Sequence, residues 1–151
     1  MSIEKDINQS KFRSEHQKAT INLIYTYNWM NEQMKKWLDQ FDITSQQFNI
    51  LRILRGAGEP LSTLQIRQRM LDKMSDTSRI VDRLQKKALV KKVVCKEDRR
   101  LVDVTISEKG MALLEKMDVN QDELDATFNN IDSDEAKYLN SLLDKVRGSA
   151  D

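Results

Sequence analysis

The order of periodicities between residues 75 and 110 constrains this chain more than any other feature. In SDTSRIVDRLQKKALVKK (75–92), Ile80, Val81, Leu84 and Ala88 fall at i, i+1, i+4 and i+8, one face of a helix. Ser75, Asp76, Ser78, Arg79, Asp82, Arg83 and Lys86 are left on the other side, and Ser75 or Asp76 can cap the start. The helix is expected to run to about Lys87. The period then drops to two. Residues 89–96 are β-branched and mixed, and in 101–107 Val102, Val104 and Ile106 alternate with Leu101, Asp103 and Thr105. Two strands joined across KEDRR make a hairpin whose tip carries Asp98-Arg99-Arg100, and S-E-K-G (107–110) then opens another helix.

Upstream, the pattern is helical throughout. In residues 11–41, Leu23, Tyr27, Met30, Met34, Trp37 and Phe41 step by 4, 3, 4, 3, 4, close to a 3.5-residue repeat. Ile21, Ile24, Tyr25, Trp29 and Leu38 widen that surface, as expected of a helix buried on more than one side, partly by a second subunit. A second helix opens at Thr44, where T-S-Q-Q has capping-box spacing with Gln47, and Phe48, Ile50, Leu51, Ile53 and Leu54 form its apolar side. Gly56 is placed to end it in a left-handed conformation. After the turn GAGEP, Ser62 and Gln65 repeat the box and start a short helix through Leu64, Ile66, Met70 and Leu71. Two short helices with a polar, basic outer face on the second, followed by a hairpin, define a winged helix-turn-helix.

Downstream of Ser107, Met111, Leu114, Met117 and Leu124 to Phe128 continue a helical pattern. Residues 131–135 read as a break and a new cap, and Tyr138, Leu139, Leu142, Leu143 and Val146 form a last amphipathic helix. The fold class is therefore mainly α with a small β-hairpin wing. Residues 44–110 form the winged domain, while 1–43 and 111–151 form a helical region suited to dimerisation.

Composition narrows the function classes. At 151 residues the chain is one ordinary domain's worth, and no apolar run is long enough to cross a bilayer. MSIEKDINQSKF lacks the basic-then-apolar layout of a signal peptide, and a single cysteine fits a reducing cytoplasm. The net charge of +1 hides a division. Residues 1–51 carry six basic and six acidic side chains, 52–110 fifteen and eight, and 111–151 four and ten. A basic middle segment beside an acidic end suits a module that faces a polyanion. A glycine loop that cradles phosphate, a paired Cys or His motif, and a nucleophile with a recognisable base are all missing. With His16 the only histidine, neither a histidine-rich metal site nor a Ser-His-Asp triad is easily assembled, so no enzyme, metal or cofactor is expected.

The stretches QFNILRIL (47–54), LSTLQIRQRM (61–70), SDTSRIVDRLQKKALVKK (75–92) and KEDRRLVDVTISEKG (96–110) together resemble the MarR family of bacterial transcriptional regulators. The resemblance is collinear over residues 44–117, and the flanking helices agree with the family's dimerisation layout. Two positions depart from it. Ala88 stands where the family usually has glycine, so the turn after the recognition helix is expected to be slightly reshaped. Val94-Cys95-Lys96 replaces a proline- and aspartate-rich approach to the wing, so the first wing strand is expected to run longer.

These features assign roles. The N-terminal half of helix 75–87 enters the major groove, with Ser75, Asp76, Thr77, Ser78 and Arg79 as short polar groups and one long cation. Arg79 is the expected base reader; Ser75 and Asp76 serve equally as caps, and Thr77 can instead face the core. Arg83 and Lys86 suit backbone contact or ion pairing. The resemblance implies that Arg100 inserts into the minor groove with Asp98 positioning its guanidinium, while Arg99 contacts phosphate or packs along the hairpin. Lys91, Lys92 and Lys96 add long-range attraction or are simply solvated. Tyr25, Tyr27 and Trp29, near Trp37, are candidates to line a pocket for a small aromatic ligand, with core and dimer packing as the default, and Cys95 is read as a plain strand residue. The expected partners are double-stranded DNA and a second copy of the chain, without a membrane. The expected function is a homodimeric regulator, a repressor of a pseudo-palindromic operator released by a small ligand. The competing reading is a winged-helix protein-interaction module.

Overall fold

The computed structural model describes residues 2–98 and 101–149. In chain order it contains α1 (Ile3–Asp6), α2 (Glu15–Asp39), α3 (Ser45–Ala57), β1 (Leu61–Ser62), α4 (Thr63–Arg69), α5 (Thr77–Lys86), β2 (Val90–Val94), β3 (Val102–Ile106), α6 (Glu108–Val119), α7 (Gln121–Asp125), a 3₁₀ turn (Ala126–Phe128) and α8 (Ser133–Val146). The long first helix of the sequence pattern is α2, whose start is fixed by Ser14 accepting the Gln17 N–H.

Local chemistry sets the helix starts. Reciprocal capping boxes form at Thr44/Gln47, Ser62/Gln65 and Asp132/Glu135, each satisfying two backbone N–H groups that a helix start leaves without partners. One helix end differs from the sequence expectation. α3 continues through Gly56 to Ala57, and Gly58, at φ 65°, supplies the left-handed cap. Two glycines lie within reach of the end, and the two extra residues let Leu54 accept the Gly58 N–H.

The hairpin belongs to a three-stranded antiparallel sheet of order β1-β3-β2. β2 and β3 form the hairpin expected across KEDRR, pairing from Val90 opposite Ile106 to Val94 opposite Val102. The unexpected strand is β1, in which Leu61 and Ser62 pair with Val104 and Asp103. It ties the turn between α3 and α4 to the middle of β3. β2 stops at Val94, with one further rung where Cys95 N–H donates to the Leu101 carbonyl.

One core holds these pieces together. Ile50, Leu51, Leu54, Leu61, Ile66, Met70, Val81, Leu84 and Val104 are almost wholly removed from water. Trp37 and Leu38 of α2 and Leu114 and Met117 of α6 join the same cluster, so the core runs without a break across residues 43–44 and 110–111. Trp37 stacks edge-on against Phe41 and Phe48, at 5.3 and 5.5 Å between centroids, and its indole N–H donates to the Asn120 carbonyl at 3.1 Å. Three positions of the apolar patterns lie outside the core. Leu64 and Leu71 are exposed, because a helix as short as α4 reaches the core only through Ile66 and the Met70 that follows it. Ala88 is also exposed, and Leu89 takes the buried place.

The exit of α5 explains that shift. Ala88 keeps a left-handed φ of 58°, so the turn is not reshaped by the loss of glycine. It is held from both sides: Ser107 Oγ donates to the Ala88 carbonyl at 2.7 Å, and Ser107 N–H to the Leu89 carbonyl at 3.0 Å. The same Ser107 oxygen accepts the Gly110 N–H and caps α6. Gly110 is needed for contact, since a Cβ there would lie 2.3 Å from the Leu89 carbonyl oxygen and 2.8 Å from Ile106 Cγ1. S-E-K-G is therefore the joint between recognition helix, sheet and α6.

Candidate nucleic-acid interface

α5 packs on α3, α4 and β2 and presents its N-terminal half outward. The turn before it is built from Asp72. Its carboxylate accepts the Met74 N–H at 2.9 Å, and its carbonyl accepts the Ser75 hydroxyl. Ser75 is thus held in the turn, and Asp76 is the cap, accepting the Arg79 N–H at 3.2 Å. The second Asp76 oxygen faces Arg79 Nε at 3.2 Å, while 79% of the Arg79 side chain stays exposed. One carboxylate fixes both the helix start and the direction of its long cation. Ser78 is exposed beside it, whereas Thr77 is turned inward at 3% exposure, which places its side chain in the core and off the outward face.

Two concavities flank this half-helix. One, of about 450 Å³, lies against α4 and is lined by Leu64, Arg67, Met74 and residues 75–78. The other, of about 260 Å³, lies against the start of α3 and is lined by Thr44, Gln46, Arg79, Ile80 and Arg83 among others. Arg83 therefore shares a depression with Arg79 one turn earlier. Arg67 and Leu64 also border the helix start, which their place in an apolar-periodic stretch does not indicate.

The wing root is fixed to α5. Lys92 of β2 donates to Asp82 at 2.6 Å, and that hydrogen bond holds the Asp82 carboxyl below the usual carboxylate range. Lys92 is thus committed to an internal partner, unlike the long-range role expected of it. Lys87 reaches back to the Asp42 carbonyl and lies 3.6 Å from the Asp42 carboxylate. At the tip, the Asp98 carbonyl accepts the Leu101 N–H at 2.9 Å. Arg99 and Arg100, which carry the expected phosphate and minor-groove contacts, lie outside the described residues.

The terminal helices hold the other expected site. Tyr25 and Trp29 line a cavity of about 550 Å³ between α2 and α1, with Lys18 and Asn22 on the same wall. Tyr27, 63% exposed, is not part of that wall, and Trp37 belongs to the core. The sequence-based trio is therefore divided. Lys18 pairs with Glu4 across the cavity mouth, and their hydrogen bond lowers the Glu4 carboxyl to about 2. Among the described residues no group of His, Cys, Asp and Glu is placed to hold a metal, and no helix is long and apolar enough to cross a membrane.

Helix-turn-helix, three-stranded wing and outward-facing recognition helix define a winged helix-turn-helix DNA-binding protein. The chain belongs to the MarR family of transcriptional regulators: residues 41–101 match that family's profile, and 108 residues are 32% identical to the uncharacterized HTH-type transcriptional regulator YhbI of Bacillus subtilis, covering 70% of this chain and 68% of that one. Solved structures agree. A variant of MarR from E. coli, complexed with operator DNA, superposes with a TM-score of 0.78 at 25% identity, over 91% of this chain and 99% of that one. Bordetella bronchiseptica BpsR, whose DNA binding is regulated by 6-hydroxynicotinic acid, has the same fold, with a TM-score of 0.78 at 23% identity over 94% of this chain and all of that one.

Proposed function

We propose that the protein acts as a cytoplasmic homodimer that represses transcription by occupying a pseudo-palindromic operator. The observation that carries this reading is Arg79, largely exposed at the start of α5 and aimed by the capping Asp76. In a two-fold dimer, two such helices enter successive major grooves roughly 34 Å apart. A protein seated there excludes others from the same duplex, which makes repression the simplest outcome. The apolar side chains that α2 and α8 leave exposed support the second copy as the covering partner, with 1–43 and 111–151 as the dimerisation region.

On this reading Ser75, Ser78, Arg79 and Arg83 face the major groove, with Asp76 as aiming group and Thr77 as its buried support. Arg100 makes the minor-groove contact with Asp98 positioning its guanidinium, while Arg99 contacts phosphate or packs along the hairpin. The cavity beside Tyr25 and Trp29 takes a small aromatic ligand, which lowers operator affinity by favouring a dimer whose recognition helices are misspaced. The regulation of BpsR by an aromatic acid supports this by analogy.

A gel-shift titration with duplexes selected from a random pool tests the proposal. Salt-sensitive binding that prefers particular sequences is expected, and its absence sinks the operator reading. Arg79→Ala should change base preference by about 1–3 kcal/mol at one position, whereas Lys91→Ala should weaken all duplexes alike. Arg100→Ala should weaken binding with fold and dimer intact; unchanged affinity removes the wing from the mechanism.

A further inference from the structure

We propose that Leu64 and Met74 recognise thymine by its 5-methyl group in the major groove, an inference that rests on the operator-binding reading above. Met74 is 93% exposed and Leu64 64% exposed. Single exposed apolar side chains are common on protein surfaces. These two differ in sharing one concavity of about 450 Å³ with the first turn of α5.

Both are mounted on fixed backbone. Leu64 sits in the first turn of α4, whose start is locked by the reciprocal Ser62/Gln65 caps. Met74 sits in the turn organised by Asp72, which accepts its backbone N–H. The flexible thioether side chain of Met74 adapts its shape to a neighbour without moving that backbone.

The charges around the concavity select its occupant. Arg67 and Asp76 both line it. The Asp76 carboxylate is shared with Arg79, so two cations stand against one acid, and the start of α5 adds the positive end of a helix dipole. The buried centre of a protein–protein interface is depleted in charge, so this cationic rim fits a polyanion better than an apolar protein surface. On the major-groove edge of a base pair, the thymine C5-methyl is the one apolar group on offer. Leu64 and Met74 thus supply the apolar half of a reading head whose polar half is Ser75, Ser78 and Arg79.

The test uses the full-length wild-type protein and the duplex it selects from a random pool. Each thymine is replaced in turn by deoxyuridine, which removes only the methyl group. At one or two positions in each half-site, affinity should fall about fourfold, the effect of one buried methylene-sized group. Met74→Ala and Leu64→Ala should bind the thymine duplex more weakly by a similar factor, and each should become indifferent to uracil at the position it reads. Equal wild-type affinity for thymine and uracil throughout overturns the inference, as does an unchanged thymine-to-uracil ratio in both variants. A change in the sedimenting mass of the variants also overturns it, by assigning the two side chains to contact between copies. Failure to select any duplex is a separate result, because it removes the operator reading itself.

Discussion

The winged domain and the terminal helices satisfy their apolar side chains in opposite ways. In the first, α3, α4, α5 and the sheet close over Ile50, Leu51, Ile66, Leu84 and Val104, each at or below 1% exposure. In the second, α8 buries no residue, and Tyr138 and Val146 are 67% and 76% exposed. The middle of α2 behaves like α8, with Ile24 and Tyr27 mostly in solvent, while its C-terminal end anchors the core through Trp37 and Leu38. On the dimeric reading, a stripe regular enough to define a helix, yet left open to water, is one half of a contact. The winged part therefore closes its core within one chain, and the terminal frame on the dimeric reading does not.

Substitutions at matched positions sharpen this contrast. The largest effect is expected from Leu84→Ala, a fully buried side chain, which should destabilise the protein by ~2–5 kcal/mol in urea denaturation. Raising protein concentration should not restore it, since the lost contacts are internal. Leu142→Asp in α8 should instead abolish the concentration dependence of Tm and halve the sedimenting mass, with the monomer still folded. A sedimenting mass unchanged by this substitution shows that α8 does not supply the contact between copies.

Next in size is Gly110→Ala, whose new methyl meets the Leu89 carbonyl and should cost about 1–3 kcal/mol. Ala88→Gly should act the other way, raising stability by ~1 kcal/mol by relieving an alanine at φ 58°, with DNA affinity unchanged. The smallest effect belongs to the surface tie between α3 and α6, where Arg55 holds Asp118 through hydrogen bonds of 2.6 and 3.2 Å. That hydrogen bond lowers the Asp118 pKa, so its stabilisation is present above the ordinary aspartate range near pH 4 and fades as pH falls through the depressed value. Asp118→Asn should therefore melt slightly earlier than wild type at pH 7, and the gap should close in acid. A gap that persists at the lowest pH assigns the effect to something other than this ion pair.

Where the sequence could be read, the controlling chemistry lay within four residues. Thr44/Gln47, Ser62/Gln65 and Asp132/Glu135 announce helix starts because cap and partner are both local. The β2–β3 hairpin was equally accessible, since a period of two on either side of a short turn marks two strands that pair. β1 was not, because its two residues acquire strand character only by lying beside β3, some forty residues away in the chain. Leu64 and Leu71 fit an apolar period yet stay in solvent, because periodicity cannot say how many turns of a short helix reach the core. Arg79 was identifiable as an outward cation, whereas the second bond from Asp76 that aims it depends on rotamers. The aromatic trio divided for the same kind of reason: Tyr25 and Trp29 lie four apart on one helical face, and Tyr27, between them, does not.

The internal ion pairs have a consequence for counterion release. The segment 52–110 carries fifteen cations, but Arg55, Lys87 and Lys92 already face Asp118, Asp42 and Asp82, and Arg79 is shared with Asp76. A cation that remains with a protein carboxylate displaces no sodium or potassium ion from DNA. The fall of log affinity with log salt therefore reports fewer neutralised phosphates than the basic surplus suggests. It is set by the cations outside these pairs, while Lys87 and Lys92 spend their charge on holding α5 against its neighbours.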